Sequence, residues 1–144
     1  MDDMSVETKA LQAAPFFAGL SAEDIDGIVK VGQPVTFEPG QAMVEQGDAG
    51  DGMFIVVSGT AEVDVGGRFH KLTAGNFFGE MALFTTGKRM ATVKAVETVH
   101  ALKIPAEGFQ TFLLSHPAVA LSMLQAIVDR LREVEQRIDA WMAS

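Results

Sequence analysis

Gly79, Glu80 and Arg89 are the residues of this chain best suited to chemistry, and they fall in the stretch Phe77 to Val93, FFGEMALFTTGKRMATV. The Gly-Glu pair opens a short apolar helical turn. The first backbone N–H groups of such a turn have no internal partner, carry partial positive charge and receive phosphate readily. Gly79 lets backbone approach a ligand with no Cβ in the way. Arg89 brings a permanently charged, planar fork of donors that matches phosphate oxygens. Glu80 is an acceptor; it repels phosphate but holds a sugar hydroxyl. An anion site beside a hydroxyl site describes a nucleotide. Without a ligand, Glu80 and Arg89 are expected to form an internal salt bridge.

The same stretch resembles the phosphate-binding cassette of the cyclic nucleotide-binding domain family, the family of the catabolite activator protein and the protein kinase A regulatory subunits. The matching residues are Phe78, Gly79, Glu80, Ala82, Leu83, Arg89, Ala91, Thr92 and Val93. Upstream, Pro39-Gly40, Gln46-Gly47-Asp48 and Met53 to Gly59 fit the family's turn and strand pattern. The resemblance implies that Glu80 takes the ribose 2′-hydroxyl and Arg89 the exocyclic phosphate oxygens. It also implies that the N–H groups of Gly79, Met81, Ala82 and Met90 complete the cradle, next to Ala91. It places the base against Val57, Phe69 and Leu72, with Phe78 behind them, under a lid drawn from Arg130, Val134, Glu135 or Trp141 of the last helix. Trp141 fits a dimer or core contact better than a lid. Met90 departs from the family, which has Ala, Ser or Thr after the arginine. Lacking a hydroxyl that holds guanine, Met90 favours cAMP over cGMP.

Other chemistries find little support in the residues. His70, His100 and His116 show neither HxH nor HxxxH spacing, so a cupin-like metalloenzyme is a poor fit. There is no cysteine and no G-x-S-x-G nucleophile motif. No catalytic residue, metal ligand or cofactor is expected. The net charge of −8 argues against nucleic-acid binding, which needs clustered Lys and Arg. The acidic start MDDMSVETK is no signal peptide, and no apolar run is long enough to span a membrane; a cytoplasmic location follows as the expectation.

The elements that must position the site follow from pattern. A chain of 144 residues is expected to be one domain: N-terminal helices over 1–30, a β-roll over 31–105 and C-terminal helices over 106–144. Val6, Ala10 and Leu11 sit at helical spacing before Pro15 breaks the pattern. Ser21 reads as the N-cap of a helix carrying Ile25, Ile28, Val29 and Val31. From Gly40 to Gly87 lie 10 of the 14 glycines, punctuating short β-prone runs. Such spacing predicts an antiparallel, jelly-roll-like β-roll. Gly66-Gly67 predicts a tight hairpin, and AEVDV alternates, with Ala61, Val63 and Val65 on one face. Pro105 suits the first turn of a helix bearing Phe109, Phe112 and Leu113. His116-Pro117 breaks it. A long helix then carries Ala120, Leu124, Ile127, Leu131, Val134, Ile138 and Trp141 at alternating gaps of four and three, a seam fit to pair with a second copy.

The expected protein is a cAMP-responsive regulatory module, with cGMP as a second ligand, and not an enzyme. The chain ends at Ser144, so the output is expected in a partner effector or in a fused domain outside this sequence. The rival reading is a β-roll interaction module that binds no nucleotide.

Overall fold

A computed structural model describes residues 11–12, 17–65, 68–83, 88–89 and 91–143. Leu11 and Gln12 are helical, and the first helix whose full range is described, α1, spans Ala22–Val31. Ser21 caps it by accepting a hydrogen bond from the Asp24 N–H at 3.1 Å, and Ile25 and Ile28 turn inward. Eight strands follow: β1 Gln33–Phe37, β2 Ala42–Val44, β3 Gly52–Ser58, β4 Ala61–Val65, β5 Arg68–Leu72, β6 Phe77–Phe78, β7 Thr92–Ala95 and β8 Val99–Pro105. Two helices close the chain, α2 over Phe109–Ser115 and α3 over Pro117–Ala143.

The strands form two four-stranded antiparallel sheets, in the orders β1-β8-β3-β6 and β2-β7-β4-β5. The chain passes repeatedly between the sheets, which makes the expected roll. The β4–β5 register sets Val65 opposite Arg68, as a two-residue connection requires. The connection itself, Gly66-Gly67, lies outside the described residues.

Apolar side chains fill two layers. Between the sheets lie Phe54, Val56, Ala61, Phe78, Val93 and Val99, with Leu72 packed against them. On the outer face of the first sheet, Met53, Ile55, Val57 and Phe77 meet Ile25 and Ile28 of α1, Phe109 of α2, and Val119 and Met123 of α3. Strand β3 is buried on both faces. That explains why it reads as a continuous apolar run rather than an alternating one.

Two expectations change, and one lies outside the described residues. Pro105 ends β8, opposite Gly52, instead of opening a helix. A strand end tolerates a missing N–H as well as a helical first turn does. The helical spacing of Val6 and Ala10 falls outside the described residues. The seam on α3 is divided. Ala120 packs on the helix-facing core, whereas Leu124, Leu131, Val134 and Ile138 are exposed. The break at His116 is where expected, since α2 ends at Ser115 and α3 begins at Pro117. Among the described residues no single helix is long and apolar enough to cross a membrane.

Candidate anion-binding site

The cassette begins where β6 leaves the first sheet. Phe78 is buried between the sheets and stacks on Phe54, with centroids 5.2 Å apart and planes 12° from parallel. Phe77, one position earlier, points to the helices. Gly79 then turns with φ +80°, a region that L side chains rarely adopt. A 3₁₀ turn, Glu80–Leu83, follows directly, so the predicted helical turn is formed. Within it the Ala82 N–H donates to the Gly79 carbonyl at 3.1 Å. The Ala82 N–H thus already has a partner in this structure. It closes the turn and would have to leave that carbonyl to meet a phosphate.

Arg89 is held from below and from the side. Its N–H donates to the Asp48 carbonyl at 2.7 Å, and its carbonyl accepts from the Gly47 N–H at 2.9 Å. The Gln46 N–H donates to Thr92 Oγ1 at 3.0 Å. The Gln46 to Asp48 turn thus straps the segment that carries the arginine. The Arg89 side chain points inward and is 7% exposed. Nη2 donates to the Gly52 carbonyl at 2.7 Å, and Nη1 reaches the Gly79 carbonyl at 3.5 Å. A Cβ on Gly79 would stand 2.5 Å from Nη1, so another residue here would push the guanidinium aside as well as strain the positive φ.

The expected Glu80–Arg89 salt bridge is not formed. Glu80 instead accepts from Arg130 Nη1 of α3 at 2.9 Å. Arg130 Nη2 donates to the Phe77 carbonyl at 2.6 Å, and its guanidinium lies 4.2 Å from the Phe77 ring centroid. Of the proposed lid residues, Arg130 is therefore the one brought to the cassette. Val134 and Glu135 are exposed, and the side chain of Trp141 lies outside the described residues.

Arg89 has an acidic neighbour that sequence reasoning missed. Asp51 Oδ1 lies 3.8 Å from Arg89 Nη2, while Oδ2 accepts from Lys103 Nζ at 2.9 Å. The hydrogen bond from Lys103 holds the Asp51 carboxyl below its ordinary value of 3.8, the Arg89 charge adding a smaller push in the same direction. The folded value is depressed, so whatever stability this group contributes is present above the ordinary value. It is lost as pH falls through the lowered one. At neutral pH the network is intact.

The residues expected to receive the base do not form one wall. Val57 is buried toward the helices, Leu72 packs between the sheets, and Phe69 points outward at 62% exposure. The β4–β5 register explains the split. Phe69 pairs with Asp64 and Leu72 with Ala61, which places them on opposite faces of the second sheet. Phe69 borders a hollow of about 490 Å³ on the outer face, with Glu62, Asp64, Thr92 and Lys94. Met81 is exposed and Ala91 half-buried; Met90 lies outside the described residues. The histidines sit on different elements with different partners: His70 on β5, His100 on β8 within 3.2 Å of Thr36, and His116 stacked on Phe112 between α2 and α3. No group of three or more His, Cys, Asp or Glu suited to a metal ion is found among the described residues.

Residues 34–116 match the family of the cyclic nucleotide-binding domain. The cyclic AMP receptor protein of Thermus thermophilus is 30% identical over 135 residues, covering 90% of this chain and 62% of that protein. A cyclic nucleotide-gated potassium channel of Rhizobium etli is 35% identical over 118 residues, covering 82% of this chain and 33% of the channel. The crystal structure of the Thermus thermophilus catabolite activator protein superposes with a TM-score of 0.78 at 30% identity, over 88% of this chain and 62% of that one. The chain thus spans between one third and under two thirds of the length of these relatives.

Proposed function

This chain belongs to the cyclic nucleotide-binding domain family, and on that premise we propose that it is a cAMP-responsive sensor whose own part is binding and regulation, not catalysis. The observation that carries the reading is the enclosed guanidinium of Arg89, set against the positive-φ turn at Gly79 and the 3₁₀ turn that begins at Glu80. The cyclic phosphate takes Arg89 and backbone donors of the turn. The ribose 2′-hydroxyl donates to Glu80, whose other contact is Arg130 on α3. A ligand on Glu80 therefore bears on the same side chain that ties α3 to the cassette. The outward apolar residues of α3 pass that change on, to a second copy of the chain and to an effector or fused output domain. Isothermal calorimetry with cAMP tests the reading; no heat at high micromolar protein would favour a β-roll that has kept the fold and lost the ligand.

Two expected results separate the parts of this reading. Glu80→Gln keeps a hydrogen-bonding amide but removes the charge. A bond to a charged acceptor is worth roughly 1.5–3 kcal/mol, so cAMP should bind about tenfold more weakly. The 2′-deoxy analogue should lose affinity for the wild type and much less for the variant. Equal losses in both proteins would remove Glu80 from the ribose.

The second result concerns the base. cAMP should bind more tightly than cGMP, because Met90 offers no hydroxyl at the position after the arginine. Met90→Thr should narrow the gap between the two nucleotides. A wild type that prefers cGMP would contradict the role given to Met90.

A further inference from the structure

Arg89 shares its surroundings with a carboxylate that an incoming phosphate must contend with. Asp51 stands on the loop before β3, anchored by its carbonyl, which accepts from the Ala106 N–H at 2.9 Å. Its side chain lies between two cations. The contact to Lys103 is a hydrogen bond at 2.9 Å, whereas 3.8 Å to Arg89 is beyond hydrogen-bond range. Lys103 is fixed on β8 between β1 and β3, opposite Gln33 and Phe54, so its position does not depend on the loop. The Asp51 side chain is 70% exposed and that of Lys103 28%, so the carboxylate has the more room to turn once Lys103 is gone. The lysine is thus the fixed partner and the carboxylate the movable one. Gly52 O already occupies Nη2 at 2.7 Å, and a second acceptor there would take the donor face that a phosphate needs.

We propose that Lys103 is a positioning residue for anion binding, holding the Asp51 carboxylate away from Arg89 so that the guanidinium stays open to phosphate. The proposal rests on the cyclic-nucleotide reading above. Without Lys103, the carboxylate closes the remaining distance to Arg89 and pairs with it as a charge-assisted hydrogen bond. Phosphate must then displace it. Lys103 acts through Asp51, which distinguishes it from a cation that merely attracts anions from a distance. A distant cation would work whether or not position 51 is charged.

The test is a double-mutant cycle read by calorimetry with cAMP on wild type, Lys103→Met, Asp51→Asn and the pair together. Methionine keeps the aliphatic length of lysine, and circular dichroism checks the fold. Lys103→Met should weaken binding about three- to fivefold, the range of a partly exposed ion pair. In the Asp51→Asn background the same change should cost almost nothing. An equal loss in both backgrounds, or no loss in either, overturns the proposal. A second arm needs no nucleotide. The ¹⁵N signals of the Arg89 guanidinium should shift and its terminal N–H groups exchange more slowly in Lys103→Met, because Asp51 has moved onto them. Unmoved Arg89 signals overturn the proposal whatever the calorimetry gives. A wild type that binds no cAMP defeats the functional reading alone, and the guanidinium arm still decides the role of Lys103.

Discussion

Arg89→Ala is expected to weaken cAMP binding at least thirtyfold. Truncating one side of an enclosed, hydrogen-bonded charge pair costs on the order of 2–5 kcal/mol, and about 2 kcal/mol is already a factor of thirty. The guanidinium is nearly excluded from solvent, so its pairing with an anion is weakly screened. Its direction is fixed by three features: the backbone pair to Gly47 and Asp48, the bond to Gly52 O, and the close passage of Gly79. Alanine also leaves the carbonyls of Gly52 and Gly79 without this donor, so the empty protein should lose some stability. Thermal unfolding without nucleotide measures that part separately. Arg89→Lys keeps a charge but has no planar fork, and cannot serve Gly52 O and phosphate in the same plane. It should bind poorly while unfolding closer to the wild type. Wild-type affinity in Arg89→Ala would end the assignment of this site.

The cassette was readable in the sequence because its parts are local. Gly79 and Glu80 adjoin each other, and the 3₁₀ turn follows from the apolar run after them. Ser21 and the His116-Pro117 break were readable for the same reason: caps and proline boundaries act within a turn of helix. What was not readable depends on pairings distant in the chain. Glu80 and Arg130 are 50 residues apart, and Asp51 and Lys103 are 52 apart. Opposite charges near each other in sequence, Glu80 and Arg89, looked like the natural pair. The strap from Gln46 to Asp48 turns Arg89 inward to Gly52 instead, and leaves Glu80 to the helix. The residues named for the base do not share one face, for a geometric reason. Phe69 and Leu72 are three apart, and in a strand that spacing puts side chains on opposite faces. Val57 followed the parity of Met53 and Ile55 toward the helices.

Leu131→Asp is expected to raise the dissociation constant of a homodimer by a hundredfold or more. Helix α3 presents two faces. Val119, Met123 and Ala126 pack on the protein's own core, and Arg130 continues that line onto Phe77 and Glu80. Beyond Arg130 every described side chain from 131 to 139 is exposed, so more than two turns of helix lie off the body of the protein. A helical segment of that length is marginal in water without something to pack on. Leu124, Leu131, Val134 and Ile138 share one exposed stripe at gaps of seven, three and four, and Leu131 is 56% exposed. A second α3 offers the same stripe in return, as a two-fold interface requires. Burying a leucine contributes about 1.5–3 kcal/mol, and a two-fold seam uses the residue twice. Losing both gives roughly 3–6 kcal/mol before the cost of a buried carboxylate is added, which corresponds to the stated hundredfold. Light scattering over a concentration series, with and without cAMP, reads the mass. A wild type that stays monomeric at high micromolar concentration in both states defeats the dimer, and so does a Leu131→Asp variant of unchanged dimeric mass. Because Arg130 lies one residue before the seam residue Leu131, nucleotide on Glu80 should move the wild-type dissociation constant, and the same series measures by how much.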